Sequence, residues 1–172
     1  AAALGLMILN YPFGKIFLGD SGAYLIGFIV AWLLILLAMR YDDISKWSLL
    51  AIASWPVTET IFSIFRRKLR RSSVDKPDRM HFHHIVMRGL EIISKRRISR
   101  KTSNPLATLI ILPIACIPAV LGIFYSQSHQ AGIAICFVFS CVYILFYYGM
   151  LYLLKNRKSK FINKTVTSCA QK

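Results

Sequence analysis

The chain has 172 residues, 56% of them hydrophobic, and a mean hydropathy of +0.53; apolar content above the usual 45–50% or so excludes an ordinary water-soluble globule. Its net charge of +15, from 22 Lys and Arg against 7 Asp and Glu, would in a soluble protein point to nucleic acid. Here nearly all of it falls in two stretches beside apolar runs, as in membrane-protein loops that resist translocation.

In chain order, Ala1–Leu9 is apolar, lacks a basic front and runs into Asn10 and Pro12, so it reads as the end of a helix and not as a signal peptide. Residues 21–39 carry no charge and, at 1.5 Å per residue, span roughly 30 Å of hydrocarbon. A polar turn, Arg40–Lys46, leads to a second apolar span, 47–65, with Pro56 and Glu59 near its middle. That predicts a kinked helix whose polar side faces protein. Glu59 reads as a satisfied structural polar group, with a proton relay as the sharper alternative.

The segment 66–104 is polar and basic and is expected to be a long loop. A third span is predicted over 105–125, with Pro105 at its start and Pro113 and Pro118 bending it. A fourth covers 131–154, followed by a basic tail, 155–172. The expected fold is all-α and polytopic: about four transmembrane helices plus a partial N-terminal one. Of the 22 basic residues, only Arg40 and Lys46 fall outside the long loop, the tail and Lys15, so those three segments are assigned to the cytoplasmic face.

The four cysteines, Cys116, Cys136, Cys141 and Cys169, form no CxxC pair, so neither a disulfide framework nor a zinc site is expected. The basic clusters 66–71 and 95–101 lie close to span ends, where anionic headgroups are their natural partners. No nucleic-acid role is assigned, because few aromatics interleave with these charges.

Two places break the pattern. The first is Asn10–Gly22, NYPFGKIFLGDSG, where Asp20 begins an uncharged span between two glycines. A carboxylate there suits Mg²⁺, which takes one or two carboxylates together with substrate phosphates; spacing alone favours the simpler reading that Asp20 or Ser21 caps the helix. The second is Asp75–His84, DKPDRMHFHH, in which Asp78, Arg79, His81, His83 and His84 fall within seven residues. Arginine forks phosphate oxygens and histidines add hydrogen bonds or charge, so this loop could hold a diphosphate. A solvated basic loop, a headgroup-binding patch and an adventitious metal site are the competing readings.

These two motifs, in this order, resemble the polyprenyl-phosphate N-acetylhexosamine-1-phosphate transferases of glycosyltransferase family 4. Asn10, Pro12, Phe17, Gly19, Asp20 and Gly22 match the family's run into a helix. Pro77, Asp78, Arg79, His81, His83 and His84 match its late cytoplasmic loop, in a form that looks like the branch initiating O-antigen, common-antigen or teichoic-acid-type glycans.

The resemblance implies sugar-1-phosphate transfer from a UDP-N-acetylhexosamine to polyprenyl phosphate, with UMP leaving and Mg²⁺ assisting, at the bacterial inner (plasma) membrane; a homo-oligomer is compatible with it. It implies that Asp20 binds Mg²⁺ or orients the reacting phosphate. Asp78, Arg79, His81, His83 and His84 then serve the nucleotide-sugar diphosphate, and Asn10 lines the nucleotide pocket. The family's earlier loop of adjacent aspartates has no counterpart here, since Asp42-Asp43 follows the first full span. The chain is therefore expected to be the C-terminal portion of a larger transferase and not to turn over substrate alone. The competing reading is a non-catalytic membrane module whose basic loop binds anionic lipid.

Overall fold

The computed structural model describes residues 2–12, 14, 16, 18–69, 81–94 and 98–170, with side chains for all of these except 2, 100, 101 and 157–170. Among the described residues the regular structure is helical, with no strand. The helices are α1 (Ala2–Asn10), α2 (Gly19–Arg40), α3 (Lys46–Ile52), α4 (Ser54–Leu69), α5 (Phe82–Ile93), α6 (Arg100–Phe124) and α7 (His129–Ala170). Among the described residues three stretches are long and apolar enough to cross a membrane: Gly19–Arg40, Thr102–Phe124 and His129–Asn156. α3 and α4 pass the same test together as one broken span. The chain is an all-α, polytopic membrane protein.

The break in that fourth span has a chemical cause. Pro56 has no N–H, and its ring crowds the carbonyl four residues earlier, which belongs to Ile52, the last residue of α3. The interruption therefore falls at Ala53, one turn before the proline, with a bend of 78°, and Pro56 is tolerated in the first turn of α4. Ser54 Oγ donates to Ala51 O at 2.8 Å, occupying a carbonyl at the broken end.

α6 opens at Arg100, so Pro105 lies inside it, and the helix continues through Pro113 and Pro118. α7 continues through the expected tail as far as Ala170. The expected loop 66–104 holds, in its described part, the end of α4, the whole of α5 and the first turn of α6.

The chain divides into two compact units. The first comprises Ala1–Trp55 and Leu112–Phe139. There, the start of α3 is tied to the turn between α6 and α7: Ser45 N–H donates to Ser126 O at 2.7 Å, and Ser48 Oγ donates to Tyr125 O at 2.9 Å. Gly132 permits this approach, because a Cβ at that position would stand 2.6 Å from Ser48 N. α2 carries no buried residue, and Tyr24, Phe28, Trp32 and Met39 are among its exposed apolar side chains.

The second unit comprises Pro56–Ile111 and Ser140–Lys172. Its core is aromatic. Phe62 of α4 packs edge-on against Tyr143 and Tyr147 of α7, with ring centres 5.8 and 4.7 Å apart, a geometry that the ring quadrupoles favour. Buried Arg66 donates through Nη1 to Tyr147 Oη and lies over the Phe62 and Tyr147 rings. Arginine tolerates burial when its fork finds acceptors and its planar face finds rings.

α5 is amphipathic. Phe82, Ile85, Val86 and Gly89 are buried, the i, i+3, i+4, i+7 stripe that a helix turns toward its support, while His83 and Arg88 are exposed. Phe82 stacks on Tyr143 at 5.1 Å and lies 5.7 Å from Phe146. Near the other end of α5, buried Ser103 donates from Oγ to Glu91 Oε1 at 3.0 Å.

Candidate functional site

Asp20 belongs to the first unit. It occupies the first turn of α2 and is exposed. The helix begins at Gly19, and the cap position is taken by Leu18 without a side-chain hydrogen bond, so neither Asp20 nor Ser21 is the N-cap. A carboxylate in the first turn still gains from the exposed N–H groups and positive end of the helix. The chain enters α2 through Gly19 at φ +69°, a conformation that L side chains adopt at a cost. Asn10 ends α1, and its Oδ1 accepts from Ile16 N–H at 3.3 Å. Its carbonyl therefore braces the loop leading to Asp20.

As a metal site, Asp20 offers one carboxylate. Among the described residues no group of three His, Cys, Asp or Glu is arranged to hold a metal ion. The donor set fits Mg²⁺ shared between one carboxylate and a substrate's phosphates, not a cage made by the described residues themselves.

His81, His83 and His84 belong to the second unit, where α5 starts. His81 is the N-cap residue, with φ −60° and ψ 150° and no side-chain capping bond of its own. The capping function comes instead from another helix. Glu59 of α4 places Oε1 3.3 Å from Phe82 N, accepting that N–H, and 3.3 Å from His81 Nδ1. The three rings are close: His81 stacks on His83 with centres 5.9 Å apart and 12° between planes, and His83 lies 4.0 Å from His84.

The pKa of His83 is lowered, first by desolvation and then by neighbouring His84, with His81 adding to the effect and Glu59 opposing it. Crowded imidazoles disfavour a second positive charge. His83 therefore favours its neutral form, and a bound anion is what would reverse that preference. Asp78 and Arg79 lie outside the described residues.

Sequence reasoning treated Glu59 as a polar residue of a span and did not connect it to the histidines. The available signal was an acid on the protein-facing side of a broken helix, 22 residues before His81.

A polytopic helical membrane protein that carries a first-turn aspartate on one span and a histidine cluster outside its spans defines the class. The comparisons with known proteins narrow it. The family model described as Glycosyl transferase family 4 matches residues 1–38, which include the whole Asn10–Gly22 motif. Similar curated proteins include undecaprenyl-phosphate alpha-N-acetylglucosaminyl 1-phosphate transferases of three bacteria. That of Pasteurella multocida is 37% identical over 88 residues, covering 49% of this chain and 25% of the relative. That of Haemophilus influenzae is 29% identical over 150 residues, covering 84% and 39%. That of Escherichia coli K12 is 32% identical over 127 residues, covering 73% and 31%.

The Haemophilus alignment is long enough that it necessarily includes the histidine cluster. The chain belongs to glycosyl transferase family 4. It spans between a quarter and two fifths of the length of these relatives. No solved structure matches it.

Proposed function

We propose that this chain forms part of an enzyme that transfers N-acetylhexosamine-1-phosphate from a UDP-sugar to polyprenyl phosphate at the bacterial plasma membrane, for cell-envelope polysaccharide synthesis. The observation that carries the reading is the gathering of His81, His83 and His84 at one helix start, in a chain whose relatives bear sugar-1-phosphate transferase names. The charge distribution supports a cytoplasmic position for the long loop, the tail and the segment before α2, the side on which nucleotide sugars are found.

In the proposed reaction an oxygen of polyprenyl phosphate attacks the sugar-bearing phosphorus of the UDP-sugar. The bond from that phosphorus to the bridging oxygen breaks, UMP leaves with the oxygen, and a polyprenyl-diphosphate-sugar remains. Little covalent chemistry is asked of the protein; positioning and charge neutralisation dominate. His81, His83 and His84 donate hydrogen bonds to the diphosphate, and Arg79 grips it with its planar fork. Asp78 takes part in binding the UDP-sugar, and Asn10 shapes the nucleotide end.

Asp20 would supply a carboxylate to Mg²⁺. When bound, the ion supplies Lewis-acid neutralisation of charge on the phosphoryl oxygens. One carboxylate is a sparse anchor, so turnover draws on groups beyond this chain's described residues, and the 172-residue chain alone releases no UMP.

The test is point substitution in the protein expressed from its complete gene, with UMP release as the readout. Asp20→Asn is expected to lower turnover by roughly 10²–10³-fold, the loss of about 3–4 kcal/mol typical of one preorganised charge-stabilising group. His83→Ala is expected to weaken use of the UDP-sugar. Wild-type turnover in both variants, at matched membrane levels, refutes the site. Binding that follows anionic lipid content and ignores the UDP-sugar would instead favour a lipid-binding module.

A further inference from the structure

Glu59 sits on a helix that the proposed reaction does not otherwise use, yet one of its oxygens meets two groups of the histidine segment. Oε1 accepts the Phe82 N–H and stands 3.3 Å from His81 Nδ1. The Glu59 side chain is 21% exposed and that of His81 40%, so the carboxylate is the more shielded partner and the imidazole keeps access to solvent. Elsewhere in α5, Phe82 is buried between Tyr143 and Phe146, and Glu91 accepts from Ser103 Oγ. The helix is thus held along its length, and at its start Glu59 is a polar tie from α4.

A carboxylate can only accept. At 3.3 Å, a hydrogen shared between the carboxylate and the imidazole belongs on Nδ1, which favours one tautomer and one ring orientation. Nε2, across the ring from Nδ1, is then the nitrogen left to accept or donate to a ligand. Free imidazole side chains carry no such bias, and a histidine at a helix cap would otherwise turn about χ1 and χ2 among several wells.

We propose that Glu59 is a positioning residue: by holding Nδ1–H of His81 and the first N–H of α5 on one oxygen, it presents His81 Nε2 as the ring atom that engages the substrate's diphosphate. The second half of this inference rests on the reading under Proposed function. The first half, control of the tautomer, stands on the geometry of the pair alone.

The experiment uses the protein from its complete gene in nanodiscs, with ¹⁵N-labelled imidazoles, at alkaline pH. In the wild type the His81 nitrogens report the Nδ1–H tautomer. Glu59→Ala moves His81 to Nε2–H and lowers kcat/KM for the UDP-sugar by roughly 10–100-fold, the range for removing the orienting partner of a functional histidine. Glu59→Gln retains an acceptor oxygen at the same reach, so it keeps the wild-type tautomer and restores activity to within a few-fold of wild type. Glu59→Asp, one methylene shorter, tests the same point if the alanine variant does not fold: it keeps the charge and loses the tautomer.

An unchanged His81 tautomer in Glu59→Ala or Glu59→Asp overturns the inference, as does a shifted tautomer with wild-type kcat/KM. If the wild type itself releases no UMP, the functional reading fails, and the imidazole spectra still decide whether Glu59 governs His81.

Discussion

Replacing Phe82 by alanine removes the ring that seats α5. Phe82 is 3% exposed and packs on Tyr143 at 5.1 Å and Phe146 at 5.7 Å. An aromatic side chain buries about 150–250 Å², and each well-placed ring pair adds about 0.5–1.5 kcal/mol. Buried Phe→Ala changes cost about 3–5 kcal/mol where the site cannot collapse. Because α5 borders solvent and can settle partly into the gap, the lower part of that range applies, about 3–4 kcal/mol. At about 1.4 kcal/mol per decade, the undocked population of α5 rises roughly 10²–10³-fold.

Hydrogen exchange reads this directly. Amides of α5 should exchange faster by that factor in Phe82→Ala, while amides of α7 within the membrane span remain protected. Phe82→Leu, which refills most of the volume, should lie within about tenfold of wild type. Unchanged protection of residues 82–93 in the alanine variant would refute the docking described here.

Three further outcomes follow from other contacts. Ser103→Ala leaves the half-buried Glu91 without the hydroxyl at 3.0 Å and should cost about 1.5–3 kcal/mol, the range for hydrogen bonds to charged groups, seen as faster exchange at the C-terminal end of α5. Gly132→Ala puts a methyl group 2.6 Å from Ser48 N, forcing α3 to move at a cost of about 1–3 kcal/mol; thermal unfolding in detergent should report a lower midpoint. For His83, a folded-state pKa below the unfolded value of about 6.5 means that protonation is resisted in the folded state, so stability is fully present above that pH and declines as the pH falls below it. Protection factors at the start of α5, corrected for the intrinsic pH dependence of amide exchange, should fall between pH 7 and 5, and His83→Gln should flatten that dependence.

Much of this was legible from residues 21–39, where an unbroken uncharged run leaves a helix as the only way to satisfy the backbone in lipid. The pattern of apolar runs placed the later helices in the same way. Pro56 announced a kink, but its position follows from the carbonyl that a proline crowds, four residues earlier, and so the break is at Ala53. α5 was hidden for a different reason. Its stripe of Phe82, Ile85, Val86 and Gly89 is present in the sequence, yet it lies between basic clusters that read as a loop, and it is too short to stand out by hydropathy. Glu59 and His81 could not be paired by inspection, because tertiary packing brings them together across a segment with no periodic signal. The reverse holds for Asp20, which stood out in the sequence as part of a motif and whose place in the first turn of α2 adds the helix dipole.

The most direct measurement is a double-label transfer by the protein expressed from its complete gene. UDP-N-acetylglucosamine would carry ³²P at the sugar-linked phosphorus and ³H in the sugar, with polyprenyl phosphate and Mg²⁺ present. Both labels should pass together, in equal proportion, into the organic-soluble lipid, leaving unlabelled UMP in the aqueous phase. Passage of tritium alone with labelled UDP left behind, or of neither label, contradicts the account.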